Sequence, residues 1–384
     1  MAKRQYHLSC VRLRKARGGF TIGNERRKNI TGPIIGLVVI IIILAAAFII
    51  VNNQEINEEK VGWIVGESVD GYGTILHTMD GKNWTRQGSN GTVPDVPLND
   101  VKAVDRDTAW IVGSKSDGHV TILRTNDGGE YWVRQGNTTD VPGVDLYGIG
   151  VFDESIAWAV GENGTILITY DAGDTWLVQH SPGNLTKANL YAMAVVDELN
   201  AWIIGDNDSG YATIFRTING GQNWTRQGTK ETVLVTGLID ISAADENVAW
   251  AVGEDKTILK TIDGGGNWTV QSTSRPEAGP HVNGVCVIDE NNAWAAVDFD
   301  MMLKTTDGEN WTEYKIPSSV GHGFYLISVS AIDMDELWVA GEAVNPMYTW
   351  GEILHTADGG TTWESQDMPV NATLRRVSFI GSPK

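Results

Sequence analysis

Tryptophan recurs along this 384-residue chain with a beat that few folds can satisfy. Trp63, Trp110, Trp158, Trp202, Trp250, Trp294 and Trp338 are each followed, 17 to 25 residues later, by Trp84, Trp132, Trp176, Trp224, Trp268, Trp311 and Trp363. Of the 15 tryptophans only Trp350 stands outside the pattern. Steps of 43 to 52 residues mark copies of one supersecondary unit that cannot bury its apolar face alone. Function must then be sought where the repeat is broken.

Each unit reads as four short runs, such as Leu190 to Val196, Ala249 to Gly253, Thr257 to Thr261 and Trp268 to Gln271. They are rich in β-branched and aromatic residues, bounded by Gly, Asp and Asn, and too short for helices. Four strands in each of seven units predict an all-β, seven-bladed β-propeller of four-stranded blades over residues 61–384. The period alone also fits an open stack of sheets, so closure needs its own argument. The first unit begins abruptly at Val61, Gly62 and Trp63, without the apolar strand that precedes the corresponding Trp elsewhere. After the seventh, Leu374 to Ile380 has the look of that absent strand. Pairing it with the first blade closes the ring and hides two sheet edges.

Ahead of the repeats lies a different kind of sequence. The first 51 residues hold nine of the 29 Lys/Arg and one of the 48 acids, leaving a formal charge of −27 downstream. Residues 34–51 are apolar or Gly throughout, a helix of roughly 27 Å at about 1.5 Å per residue. The expectation is a single-pass transmembrane helix between a basic cytoplasmic tail (1–33) and a linker (52–60), with the propeller on the extracytoplasmic side by the positive-inside rule. Val51 leads into Asn52, Asn53 and Gln54, a poor cleavage site, which favours an uncleaved anchor over a signal peptide. On that topology Cys10 and Cys286 lie on opposite sides of the bilayer, and Cys286 reads as a small core residue.

Between the third and fourth runs sits Thr-x-Asp-x-Gly-x-x-Trp, carried by Asp127, Asp171, Asp263 and Asp358, with Asn219 in the fourth unit and forms one residue shorter at Asp80 and Asp307. The carboxylate can accept turn amides, Gly allows positive φ, and Trp covers the hairpin. A second Asp, five residues before the first Trp (Asp105, Asp153, Asp197, Asp245, Asp289, Asp333, with Glu58 in the first unit), marks another turn. Roles repeated seven times are structural, since a ring needs one active site.

The run Ala-Trp-Ala-Val-Gly-Glu, then Thr-Ile-Leu, then Thr-x-Asp-Gly-Gly-x-x-Trp, at Ala249 to Trp268, resembles the photosystem II stability/assembly factor family, within the wider class of Asp-box (bacterial neuraminidase repeat) propellers. The resemblance covers about 61–380 and implies a scaffold that binds protein partners. Sialidases of the class carry an Arg-Ile-Pro segment that this chain lacks. Arg86, Arg134 and Arg226 share one fourth-run position and read as part of the blade rather than as a carboxylate clamp. Ile30 to Gly36 and the apolar run beyond are similar to archaeal type IV pilin starts, which would imply a pilus-associated adhesin. Of the ten Asn-x-Ser/Thr sequons downstream of residue 51, four are generated by the box itself.

Binding residues are expected on the face opposite the boxes, where the connections vary most. An acid ends the second run in six units, at Glu67, Glu162, Asp206, Glu254, Asp298 and Glu342, with Ser114 in the second. This ring could hold a cation or a basic partner, or be a solvated rim or a repeated turn hydrogen bond. Met347, Tyr348 and Trp350 interrupt the repeat inside the longest insertion, 342–352, as a protein hot spot, a sugar platform or self-packing. The histidines show no metal-ligand spacing; His281 and His322 could meet near the axis but lack a carboxylate partner. Asp298 and Asp300 are the one candidate carboxylate pair, which keeps a polysaccharide-directed or glycoside hydrolase reading beside the non-enzymatic one. Acidity argues against nucleic acid, and no metal or cofactor is expected.

Overall fold

The computed structural model describes residues 59–136, 141–180, 185–229, 237–271, 279–320, 323–345 and 348–381. The basic tail, residues 34–51 with their expected bilayer crossing, and most of the linker lie outside the described residues. Among those described, no helix is long and apolar enough to cross a membrane.

Seven four-stranded antiparallel sheets form the propeller. Six are sequential, with innermost strands Leu98–Ala103, Leu146–Val151, Leu190–Val195, Leu238–Ala243, Val282–Val287 and Phe324–Ala331 in blades 2 to 7. Blade 1 takes its innermost strand, Leu374–Phe379, from the far end of the chain, and this strand pairs antiparallel with Gly62 to Gly66. The expected closure is therefore the one observed. Innermost strands neighbour one another around the axis, the seventh beside the first.

The core lies between blades rather than within them. Each hydrophobic cluster joins the first Trp of one blade to the second Trp of the next: Trp63 with Trp132, Trp110 with Trp176, Trp158 with Trp224, Trp202 with Trp268, Trp250 with Trp311, Trp294 with Trp363. The seventh cluster joins Trp338 to Trp84 of blade 1 and includes Phe379. All seven first tryptophans are fully buried. This is the physical meaning of the Trp beat, because each blade supplies half of two interfaces.

Polar links follow the same rule. Gln87 spans from Trp63 Nε1 (3.1 Å) to the carbonyl of Gly128 in the next box (2.6 Å). The residue facing the first Trp from the third strand is a cation over the indole in four blades: Arg124, Arg216, Lys260 and Lys304, at 5.2, 4.8, 4.3 and 4.6 Å from the ring. In blades 1 and 7 it is His77 and His355, each 4.6 Å from its Trp. Blade 3 alone has an aliphatic residue there, Ile168.

In every box the Thr hydroxyl bonds the Asp or Asn side chain, from 2.8 Å at Asp127 and Asp171 to 3.3 Å at Asp307. The Asp or Asn oxygen that accepts this hydroxyl also accepts the amide three or four residues beyond it, as Asp80 does from Asn83 N (2.8 Å) and Asp358 from Thr362 N (2.8 Å). Burial alone would raise the Asp80 carboxyl, but the Asn83 and Lys82 donors outweigh it and hold it at about 2.

Candidate functional site: the mouth opposite the boxes

Box hairpins and the turns between first and second strands share one face, as Gly128 N to Asp107 O (2.9 Å) and Gly264 N to Asn247 O (2.9 Å) show. On the opposite face the channel opens through a ring that sequence reasoning missed. Each innermost strand slips register once near its start, at its second residue in blades 1 to 6 and at its fourth in the longer strand of blade 7, a β-bulge repeated in all seven blades. The bulged residues are Arg375, Asn99, Tyr147, Tyr191, Ile239, Asn283 and Ile327, each half-buried. Tyr147 and Tyr191 lie 5.4 Å apart. The ring thus has an aromatic and aliphatic arc over blades 3 to 5 and 7, and a polar arc where Arg375 bonds Asn99 (2.9 Å). The signal in the sequence is the residue after a buried Leu or Val, which heads the strand in blades 1 to 6 and is Leu326 in blade 7, visible only once the seven strands are aligned.

The expected acidic ring borders this mouth, yet its members do different things. Glu67 pairs with Arg375, and Glu162 with Lys115 at 3.6 Å. Asp206 engages the Tyr191 hydroxyl; burial first, then that contact, pushes the phenol up to about 12. Glu254 accepts the Gly237 amide at 3.1 Å. Asp298 is buried and accepts from His281 N (2.9 Å) and Asn283 Nδ2 (2.8 Å). Glu342 stays half-buried within a strand. What unites them is the backbone. The amide at this position donates to the connection before the innermost strand, as Glu67 N to Thr373 O (2.9 Å), Glu162 N to Asp145 O (2.9 Å) and Asp206 N to Asn189 O (2.9 Å). In every blade of the six but that of Asp298, which follows Val297, the preceding residue is Gly, and at Gly161 a Cβ would lie 2.1 Å from Asp145 O. Among the described residues no group of His, Cys, Asp or Glu is arranged to hold a metal ion.

The insertion in blade 7 differs from the expected loop. Leu337–Asn345 and Tyr348–Thr356 are two nine-residue strands, and Trp350 pairs with Ala343 inside the extended hairpin. Alternating β-formers continue the ladder where a loop was expected. Met347 and the Tyr348 side chain lie outside the described residues. Trp350 is half-buried, packs on the cluster between blades 6 and 7, and is bonded to Glu352. With Met368, Pro369, Val370 and Asn371 it walls an open groove of about 450 Å³.

The candidate carboxylate pair is committed elsewhere. Asp298 is held as above, and Asp300 accepts the amides of Phe324 (2.6 Å) and Gly323 (3.1 Å). His281 is exposed, and His322 lies outside the described residues. Cys286 is buried, and desolvation raises its thiol to about 11.

Fold and site together define a seven-bladed Asp-box propeller with a mixed apolar and polar mouth. Residues 229–319 match the family described as Photosynthesis system II assembly factor YCF48. Among solved structures, "YCF48 bound to D1 peptide" is similar at 21% identity, TM-score 0.54, over 70% of this chain and 82% of that one. YCF48 from Cyanidioschyzon merolae is similar at 19% identity, TM-score 0.53, over 71% and 87%. The GH74 xyloglucanase from Xanthomonas campestris is similar at 13% identity, TM-score 0.52, over 70% of this chain but 45% of its own. At these identities the likeness is one of fold. No curated protein matches the chain.

Proposed function

We propose that this chain is a non-enzymatic binding or assembly scaffold, anchored in a membrane by residues 34–51 with the propeller on the extracytoplasmic side, that docks a protein segment across the channel mouth. The observation that carries the reading is the bulge ring, whose half-buried Tyr147, Tyr191, Ile239 and Ile327 are held by the backbone around an opening rimmed by carboxylates. Pre-fixed aromatic and aliphatic groups lose little entropy on contact, which suits a hot spot. The acidic rim suits a partner with basic residues. A structural relative was solved with a D1 peptide bound, which accords with peptide docking on such a fold.

Hydrolysis is disfavoured because Asp298 and Asp300 spend their oxygens on amide donors within the fold. A photo-crosslinking residue at position 191, compared with one at exposed Thr175 on the box face, tests the reading in cells. A discrete adduct from 191 alone, lost on Tyr147→Ala, is expected; equal adducts from both positions would refute the mouth as the docking face.

A further inference from the structure

Near the axis, charge is answered within the fold. Arg376, from the closing strand, reaches Asp100 of blade 2 (3.0 Å) and Asp240 of blade 5 (2.9 Å), and these carboxylates also accept Ile149 N (2.9 Å) and Val285 N (3.0 Å). The mouth edge of blade 6 is different, and its irregularity begins in the backbone. In blades 1 to 6 the hairpin between the second and third strands turns through two residues of positive φ. The first of them is Asp70, Asp117, Asn163, Ser209 and Asp255 in blades 1 to 5, short polar residues that bond locally in this conformation. In blade 6 it is Phe299, at φ +64°, where a bulky ring is strained.

The strained turn is pinned by its surroundings. Asp300 N donates to Phe324 O (3.1 Å), Ile316 N donates to Asp300 O (2.8 Å), and the Asp300 carboxylate accepts Phe324 N (2.6 Å) and Gly323 N (3.1 Å). Such over-determination marks strain that serves a function. Core packing is not that function, because Phe299 is 57% exposed. Its ring lies 5.4 Å from that of Tyr325, on the innermost strand of blade 7. Tyr325 sits two residues before the bulged Ile327, about 7 Å along the strand, so the two rings adjoin the aliphatic arc of the mouth. Directly across the ladder from Tyr325 is Glu342, which puts both side chains on one side of the sheet. Among the described residues no hydrogen bond or ion pair engages the Glu342 carboxylate.

Two rings beside a carboxylate complement a guanidinium, which is planar, cationic and rich in donors. The chain makes this pairing internally on the same hairpin of two other blades. Arg86 lies 3.8 Å over Tyr72 and pairs with Asp70 (3.1 Å); Arg226 lies 4.0 Å over Tyr211 and pairs with Asp208 (3.4 Å). In blade 6 the equivalent fourth-strand residue is Glu313, which faces Leu303 as Arg86 faces Leu76 and pairs with Lys256 at 3.6 Å. Blade 6 thus presents rings on this hairpin with no arginine of its own at that position. We propose that Phe299, Tyr325 and Glu342 clamp one arginine side chain of the docked protein segment, its guanidinium stacked on the rings and its N–H groups turned to Glu342. The pinned turn holds the Phe299 ring in place before contact, so little freedom is lost on binding. The clamp rests on the mouth as the docking face and adds what the segment carries there.

Saturation-transfer NMR on the full chain in detergent tests it, with acetyl-arginine methylamide as probe and acetyl-citrulline methylamide, its neutral counterpart of the same shape, as comparator. The arginine probe should bind saturably and the citrulline one about tenfold more weakly or less. Glu342→Gln should weaken the arginine probe by about tenfold. Phe299→Gly should weaken it likewise while leaving the melting temperature unchanged or higher, because glycine relieves the positive φ. A ring that served only the fold would give the reverse, a lower melting temperature with the probe still bound, and that result overturns the proposal. So would equal binding of the citrulline probe, unchanged affinity in Glu342→Gln, or no binding by the unmodified chain. The probe needs no partner, so its failure removes the clamp while crosslinking at 191 stands; lost crosslinking with the probe still bound removes the docking face alone.

Discussion

Gln366 in the last blade donates its side-chain amide to the carbonyl of Gly81 in the first, at 2.7 Å, and its oxygen accepts from Trp84 Nε1 at 2.7 Å. Gln271 makes the same bond to Gly308 between blades 5 and 6, also at 2.7 Å. The junction between the ends of the ring is therefore built like the internal ones. It is reinforced by Lys60, which pairs with Glu336, and by Phe379, stacked 3.7 Å from Trp338.

Phe379→Ala removes a buried ring from that junction, and a cost of about 3 to 5 kcal/mol is expected. Denaturant unfolding followed by tryptophan fluorescence measures it. A loss below about 1 kcal/mol would mean that the closing strand contributes little to stability.

Arg376→Met should destabilise by about 3 to 5 kcal/mol, because Asp100 and Asp240 are buried and lose their counter-charge. Adding Asp100→Asn and Asp240→Asn to that variant should recover part of the loss. Thermal melting of the single and triple variants gives the comparison; a triple variant less stable than the single one contradicts this account.

Lys260→Met should cost about 1 to 3 kcal/mol. Lys260 Nζ donates to Glu290 O (2.7 Å) and Gly308 O (3.0 Å) while lying over Trp250, so the change strips both carbonyls of a buried donor. Ile168→Val in blade 3, where no such bonds exist, should cost about 0.5 to 1.5 kcal/mol.

Stability should fall in two stages as pH drops. Burial depresses His77 to about 4, so between roughly 6.5 and 4 the unfolded chain binds the extra proton and folding weakens as pH falls. Box carboxylates such as Asp80, held at about 2, add stability above their unfolded value near 4, and it is lost as pH falls towards 2. His77→Phe keeps a ring on Trp63 but cannot protonate, so its melting temperature should be flatter across the upper window and unchanged in slope across the lower.

The repeat made the blade count, strand order and closure readable, because Trp63 and its counterparts mark strands whose burial is obligatory. The boxes were readable for the same reason. What escaped notice was set by register and by distance across the ring. Tyr147 and Tyr191 look like ordinary strand residues until a bulge turns them to the mouth. Arg376 meets Asp100 and Asp240 only because three blades converge, a contact that no local pattern encodes. Trp350 was noticed as an irregularity, but continued pairing with Ala343 made it part of a strand.

Because blade 1 borrows its innermost strand from residues 374–379, the disc cannot be completed during synthesis until nearly the last of these residues has emerged. Until then Trp338 and Trp84 have no lid, and the nascent chain carries one raw seam that the cell must keep apart from its neighbours.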